Sequence, residues 1–246
     1  MNIAEQQHAE QPDLPNEIPL SQRVSFDFAG VPISYKCAAM VSSLSELTNT
    51  QFSDSQKSAI VLPRQLEGDF NGLAAQMNKD VYNGLLSGII KKSWLGIDAI
   101  RDYAAQTEDY QPEIQSILSD MEYLEGIGRS PMLKVYTYDY DDETVDRPHV
   151  DSSTPNEQTG EKFSDRYVCV FNHKVTRHAP HDDVESSYRW SDGITTYGLK
   201  KDAQIATFNN GDIWRQACES NTQVKPFIHW SGTDVSDNGA KLILTA

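Results

Sequence analysis

A histidine and an aspartate two residues apart, in the run Arg147-Pro148-His149-Val150-Asp151, are the residues of this chain best suited to chemistry. On a β-strand, residues i and i+2 project from the same face, so His149 and Asp151 can reach one metal ion. An imidazole nitrogen and a carboxylate oxygen suit iron(II), and a further histidine on a facing strand completes a facial triad that leaves coordination positions open. That third ligand is expected on a strand nearer the C-terminus, where Phe227-Ile228-His229-Trp230 supplies His229. A histidine among apolar neighbours also has a plainer reading, as a satisfied core residue.

A rival cluster lies between them. His173, His178 and His181, with Asp182, Asp183 and Glu185, crowd into one hairpin-like segment. Ala179-Pro180 allows no helix that would set His178 and His181 on one face. The segment reads better as a substrate-facing loop, because loops on a rigid scaffold are where specificity usually sits. The three cysteines, Cys37, Cys169 and Cys218, form no CxxC pair, which points to reduced thiols in a cytoplasmic setting and away from a zinc knuckle.

The elements that must position these residues fall into two blocks. Residues 1–22, rich in Gln, Glu, Pro and Asn, read as a mobile tail, and residues 23–246 as a single domain. Short strands are expected at 23–28 and at Ala59-Ile60-Val61-Leu62, the latter stopped by Pro63. From about 67 to 128 the apolar period becomes helical: Leu73, Met77, Val81, Leu85 and Ile89; then Trp94, Ile97, Ile100 and Tyr103; then a helix from Pro112 through Leu124. From about 131 onward the chain turns to strands, at 132–140, 166–173, 195–199, 204–208, 212–215, 224–230 and 241–245. Helices followed by a run of short strands predict an α+β fold, a helical layer packed against a jelly-roll barrel.

From about Met132 to Ala246 the sequence resembles the iron(II)/2-oxoglutarate-dependent oxygenase superfamily, whose prolyl-hydroxylase-like and AlkB-like members fold as a double-stranded β-helix. Four pieces carry the resemblance, in the family's order. They are a Tyr-rich strand with Tyr136, Tyr138 and Tyr140; the His149-Val150-Asp151 triplet; Gln204 to Trp214 with its Gly211-Asp212 turn; and His229 followed by Gly239-Ala240-Lys241-Leu242-Ile243-Leu244. The resemblance implies that His149, Asp151 and His229 hold Fe(II). It also implies that 2-oxoglutarate binds beside them, its far carboxylate met by Lys241 with Tyr140 and Tyr138. Lys241 lies twelve residues after His229, against about ten in the family, and a solvated edge-strand lysine is the alternative reading. Lys225 is a spare cation. There is also a similarity to an uncharacterised bacterial family of the same architecture, in the Arg147 to Asp151 stretch and the Gly211-Asp212 turn. That family keeps an Arg next to its distal His, where this chain has Trp230.

Two functional readings follow: an oxygenase acting on an unidentified substrate, or a non-catalytic jelly-roll protein that binds a metal or a small molecule. A cupin-like isomerase or hydrolase using the same triad with another metal is a third. Composition narrows the partners. The net charge is −15, and no basic run exceeds Lys91-Lys92 or Lys200-Lys201, which argues against nucleic acid or an anionic membrane as partner. No apolar stretch approaches the ~20 residues that span a bilayer. Asp141-Asp142-Glu143, after the Tyr-rich strand, would repel anions if it lined the metal mouth and otherwise is a solvated loop.

Overall fold

The structure is a computed structural model, which describes residues 25–26, 32–33, 36–82, 94–136, 147–153, 162–172, 176–190, 194–231 and 240–246. The N-terminal half contributes β1 (Ser25–Phe26), β2 (Pro32–Ile33), β3 (Ala38–Met40), α1 (Leu44–Asn49), α2 (Phe52–Ser55), β4 (Ala59–Leu62), α3 (Phe70–Tyr82), β5 (Trp94–Gly96), α4 (Ile97–Gln106) and α5 (Gln111–Gly126). Strands dominate thereafter: β6 (Met132–Tyr136), β7 (Asp165–Val170), β8 (Thr176–Ala179), β9 (Val184–Arg189), β10 (Thr195–Leu199), β11 (Ala206–Thr207), β12 (Ile213–Ala217), β13 (Ile228–Ser231) and β14 (Lys241–Thr245). The fold is thus mixed α+β, with one large sheet. Residues 1–22, Tyr138, Tyr140, the Asp141-Asp142-Glu143 stretch and His173 lie outside the described residues.

Among the described residues the large sheet runs β3-β4-β12-β7-β14-β6-β5, antiparallel except for the β3–β4 pair. Strand alternation gives it two faces. Leu133, Val135, Tyr167, Cys169, Leu242 and Leu244 share one core with the helices. The helices bury the apolar residues that their spacing puts on one side: Ile97, Ile100 and Tyr103 of α4, and Ile114, Ile117, Leu118, Met121 and Leu124 of α5, where Pro112 occupies the first turn. The opposite face carries Val168, Val170 and Trp214, packed with Cys37, Met40, Phe208 and Phe227 in a second, smaller core. By register, Lys134, Arg166, Gln216 and Lys241 also belong to this second face.

A smaller sheet, β11-β8-β13, packs against that second core, and Phe208 and Trp214 rings meet across it at 4.9 Å. His149 extends it: the residue bridges His229 of β13 on one side and Thr196 of β10 on the other. The β9–β10 hairpin therefore continues the small sheet beyond the histidines.

Three expectations change. Trp94 is a strand residue, not the start of a helix: it pairs with Lys134, and Gly96, extended at φ −69° and ψ 169°, caps α4 so that the helix begins at Ile97. The His178–Glu185 segment is a loop only in part: His178 lies in β8, buried opposite His229, Glu185 lies in β9, and His181–Asp183 form a short 3-10 turn between them. Finally, β14 lies between β7 and β6 and Lys241 is buried, so it is not a solvated edge lysine.

Candidate metal centre

His149 and His229 are brought together by the backbone. The two residues exchange N–H to carbonyl hydrogen bonds, 3.0 Å from His149 to His229 and 2.9 Å in return. This is the hydrogen-bonded type of antiparallel pair, which places both side chains on one face. Their ring centroids are 4.6 Å apart. Two residues on, the Asp151 carbonyl accepts from Glu219 N at 2.9 Å, which ties the segment to the end of β12 and turns the carboxylate toward the rings.

One donor atom from each of His149, Asp151 and His229 lies within 4.8 Å of the other two, and among the described residues no other group of three potential ligands does so. Each ring has a defined polarity. His149 Nδ1 donates to the Arg147 carbonyl at 2.8 Å, and His229 Nδ1 approaches the Phe227 carbonyl at 3.3 Å. Both arrangements put the proton on Nδ1 and leave the Nε2 lone pair for a cation, as outer partners of ligating histidines commonly do. His229 Nε2 points to Asp151 Oδ2, 3.7 Å away.

Asp151 is held as firmly. Gln216 Nε2 donates to Oδ2 at 2.7 Å, and Arg166 Nη1 sits 2.9 Å from the same oxygen. The Gln216 amide cannot be turned round without loss, because its Oε1 accepts from Trp214 Nε1 at 2.7 Å. Both donors converge on Oδ2, the oxygen that also faces His229 Nε2, so the orientation of the carboxylate beside the rings is fixed. Burial opposes ionisation of Asp151, but His229, Arg166, His149 and Lys134 together bring its pKa below the ordinary carboxylate value. Burial pushes His229 down to about 4, against the opposing pull of Asp151, so its imidazole is neutral at pH 7 as metal ligation requires. Two imidazoles, each with Nδ1 turned to a backbone carbonyl, and one carboxylate are a donor set that fits a divalent cation such as iron(II).

Behind the triad, His178 is 1% exposed, with its ring against Phe208 and Phe227 at 4.5 and 5.3 Å between centroids. Cys37 Sγ is 2.9 Å from His178 Nδ1. Burial raises the thiol to about 12 and lowers the imidazole to about 3, so both are neutral. His181 Nε2 donates to the Pro226 carbonyl at 2.7 Å. His178 and His181 thus serve the packing around β13, and neither joins the triad.

Sequence reasoning missed Arg166, Gln216, Lys134 and Trp94. Lys134 stands on β6 with its Nζ 3.9 Å over the Trp94 ring, and Trp94 is 42% exposed. The signal that could have found it was periodicity: Lys134 alternates in phase with Tyr136 of its own strand.

No family model matches the chain, and no curated protein matches it. Among solved structures it is similar to a full-length Neurospora crassa protein in complex with alpha-KG, at 9% identity over 87% of this chain and 85% of that one, with a TM-score of 0.39. It is similar also to SnoN, a non-heme alpha ketoglutarate dependent epimerase from nogalamycin biosynthesis, at 11% identity over 76% of both chains, with a TM-score of 0.34. Likeness this shallow leaves the chemistry of the site to its own geometry.

Proposed function

We propose that this chain is an iron(II)- and 2-oxoglutarate-dependent oxygenase on a double-stranded β-helix. The observation that carries the reading is the convergence of His149, Asp151 and His229, with both imidazoles presenting Nε2 and the carboxylate held beside them by Gln216 and Arg166. The topology supports it: β6, His149, β7 and β8 alternate between the large and small sheets, β11 adds a second successive strand to the small one, and β12, β13 and β14 alternate again.

Each residue then has a defined task. His149, Asp151 and His229 hold the metal. Gln216 and Arg166 fix the carboxylate, while Phe208, Phe227 and Trp214 close the site to water from behind. Lys241, buried in β14 on the site face of the large sheet, would meet the far carboxylate of the co-substrate, as the family resemblance implies. Iron(II) and 2-oxoglutarate supply dioxygen activation and oxidation of a substrate C–H bond; the protein supplies orientation and a dry pocket.

The deciding experiment is anaerobic titration of the purified chain with iron(II) and then 2-oxoglutarate, following the visible charge-transfer absorption of the ternary site. The band is expected in the native chain and absent in His149→Ala. Failure to bind iron(II) would sink the reading. One observation favours a non-catalytic binder instead: the Arg166–Asp151 ion pair satisfies Oδ2 without any metal. Loss of iron binding with retained fold would turn the choice to that second reading.

A further inference from the structure

We propose that Tyr188 and Trp190 form the platform on which the substrate lies beside the metal centre, and that this substrate is a free small molecule with a flat aromatic ring. That the molecule is oxidised rests on the oxygenase reading; that a ring binds here does not.

Register puts Tyr188 in the same row as the histidine ligands. His178 pairs with His229, His229 with His149, His149 with Thr196, and Thr196 with Tyr188. Residues directly opposite one another project from the same face, so these side chains form one row across the small sheet and the β9–β10 hairpin. Two strand spacings set Tyr188 roughly 10 Å from His149, a gap that a single substituted ring spans. Trp190, two residues on, shares the face.

The row also passes from dry to open. His178 is 1% exposed, Thr196 7% and Tyr188 61%. A lone exposed tyrosine is ordinary on a protein surface. This one has a partner: its ring meets Trp190 edge to face, with centroids 4.9 Å apart and planes at 79°. Trp190 is anchored in turn by two neighbours of His149. Its Nε1 donates to Thr196 Oγ1 at 3.0 Å, and the Arg147 guanidinium lies 5.3 Å from its ring centroid. Rings fixed in advance lose little freedom when a ligand arrives, which is why Tyr and Trp serve as anchors of binding surfaces.

Charge selects among ring compounds. Arg147 stands at the Trp190 ring, Glu219 is engaged by Arg189, and the Asp151 carboxylate is already met by Arg166 and Gln216. A cationic ring would meet like charge here, whereas an uncharged or anionic one does not. The net charge of −15 argues against a base carried by a nucleic acid. The occupant is therefore a free aromatic molecule.

Benzamide and cyclohexanecarboxamide, similar in size but flat and puckered respectively, are the probes. Ligand-observed NMR titration of the full chain is expected to show benzamide bound about fivefold more tightly, the size of a stacking contact. Tyr188→Thr and Tyr188→Gln should each erase the difference and Tyr188→Phe should keep it, all with melting midpoints near that of the native chain. Manganese(II), a paramagnetic stand-in for iron(II), should broaden the benzamide signals with the native chain and not with His149→Ala. No difference between the probes, or one that survives Tyr188→Thr and Tyr188→Gln, overturns the proposal. So does manganese that binds without broadening benzamide, since the ring then lies away from the centre. If manganese does not bind, the oxygenase reading fails, while a Tyr188-dependent preference for benzamide still sustains the ring site. A tyrosine-containing tetrapeptide that binds about tenfold more tightly than benzamide overturns the free-molecule assignment in favour of a peptide.

Discussion

His149 and His229 are joined by a reciprocal pair of backbone hydrogen bonds, 3.0 and 2.9 Å long, so the spacing of the two imidazoles is set by the sheet before any metal arrives. Metal sites supported in this way bind without first having to order their ligands. Hydrogen exchange of the metal-free chain should find the His149 and His229 amides protected to a similar degree as those of β13. Protection that appears only after iron(II) is added would mean that the metal creates the pair.

Gln216 links the buried Trp214 indole to the Asp151 carboxylate of the candidate centre, accepting from one and donating to the other. Gln216→Leu keeps much of the volume but removes both bonds, and outer partners of this kind are worth about 10–100-fold in metal affinity. Competition with a calibrated chelator should show a loss of that size. An unchanged affinity would show that Arg166 alone suffices to orient Asp151.

Acid should weaken the fold through His178. Its pKa lies at about 3 in the folded chain, below the ordinary value of 6.5, first because of burial and then because of His229. The unfolded chain therefore takes up a proton that the folded chain refuses, so stability falls as the pH drops from about 6.5 toward 3. Urea midpoints at pH 7 and pH 5 should differ in the native chain and differ less in His178→Gln. Equal pH dependence in the two would assign the effect to other groups.

At the turn between β11 and β12, Gly211 has φ +91°, and a Cβ there would lie 2.6 Å from Leu66 Cγ. Its N–H donates to the Val170 carbonyl at 2.8 Å, and next to it Asp212 accepts the Asn209 N–H at 2.8 Å. Gly211→Ala combines backbone strain with a steric conflict and should cost about 1–3 kcal/mol. Chemical denaturation measures this directly, and a cost near zero would mean that Leu66 simply moves aside.

The histidine–aspartate pair was legible because strand periodicity alone puts residues two apart on one face, whatever the partner strands are. Long apolar stripes made α3, α4 and α5 equally plain. Arg166 and Gln216 were not legible, since nothing local says that β7 and β12 are neighbours or that Asp151 ends up beside them; that is a register fact. Trp94 was misread because its spacing to Ile97 imitates a helical turn, while Gly96 between them starts the helix anew. His178 hid in a four-residue strand too short and too polar to show alternation, bounded by Pro180.

The interleaved order of the large sheet has a consequence for how the protein comes to exist. β14 pairs with both β6 and β7, which are remote from it in sequence, and it supplies the middle of the sheet behind the site. Closing such distant pairings is slow, because the chain must lose much of its freedom before the contacts repay it. A nascent chain that has already synthesised His149, Asp151 and His229 still has no floor beneath them until Lys241–Thr245 is made. Organisation of the centre therefore depends on β14 finding strands far from it in sequence, and a chain whose β14 is unpaired exposes the ligands without a floor.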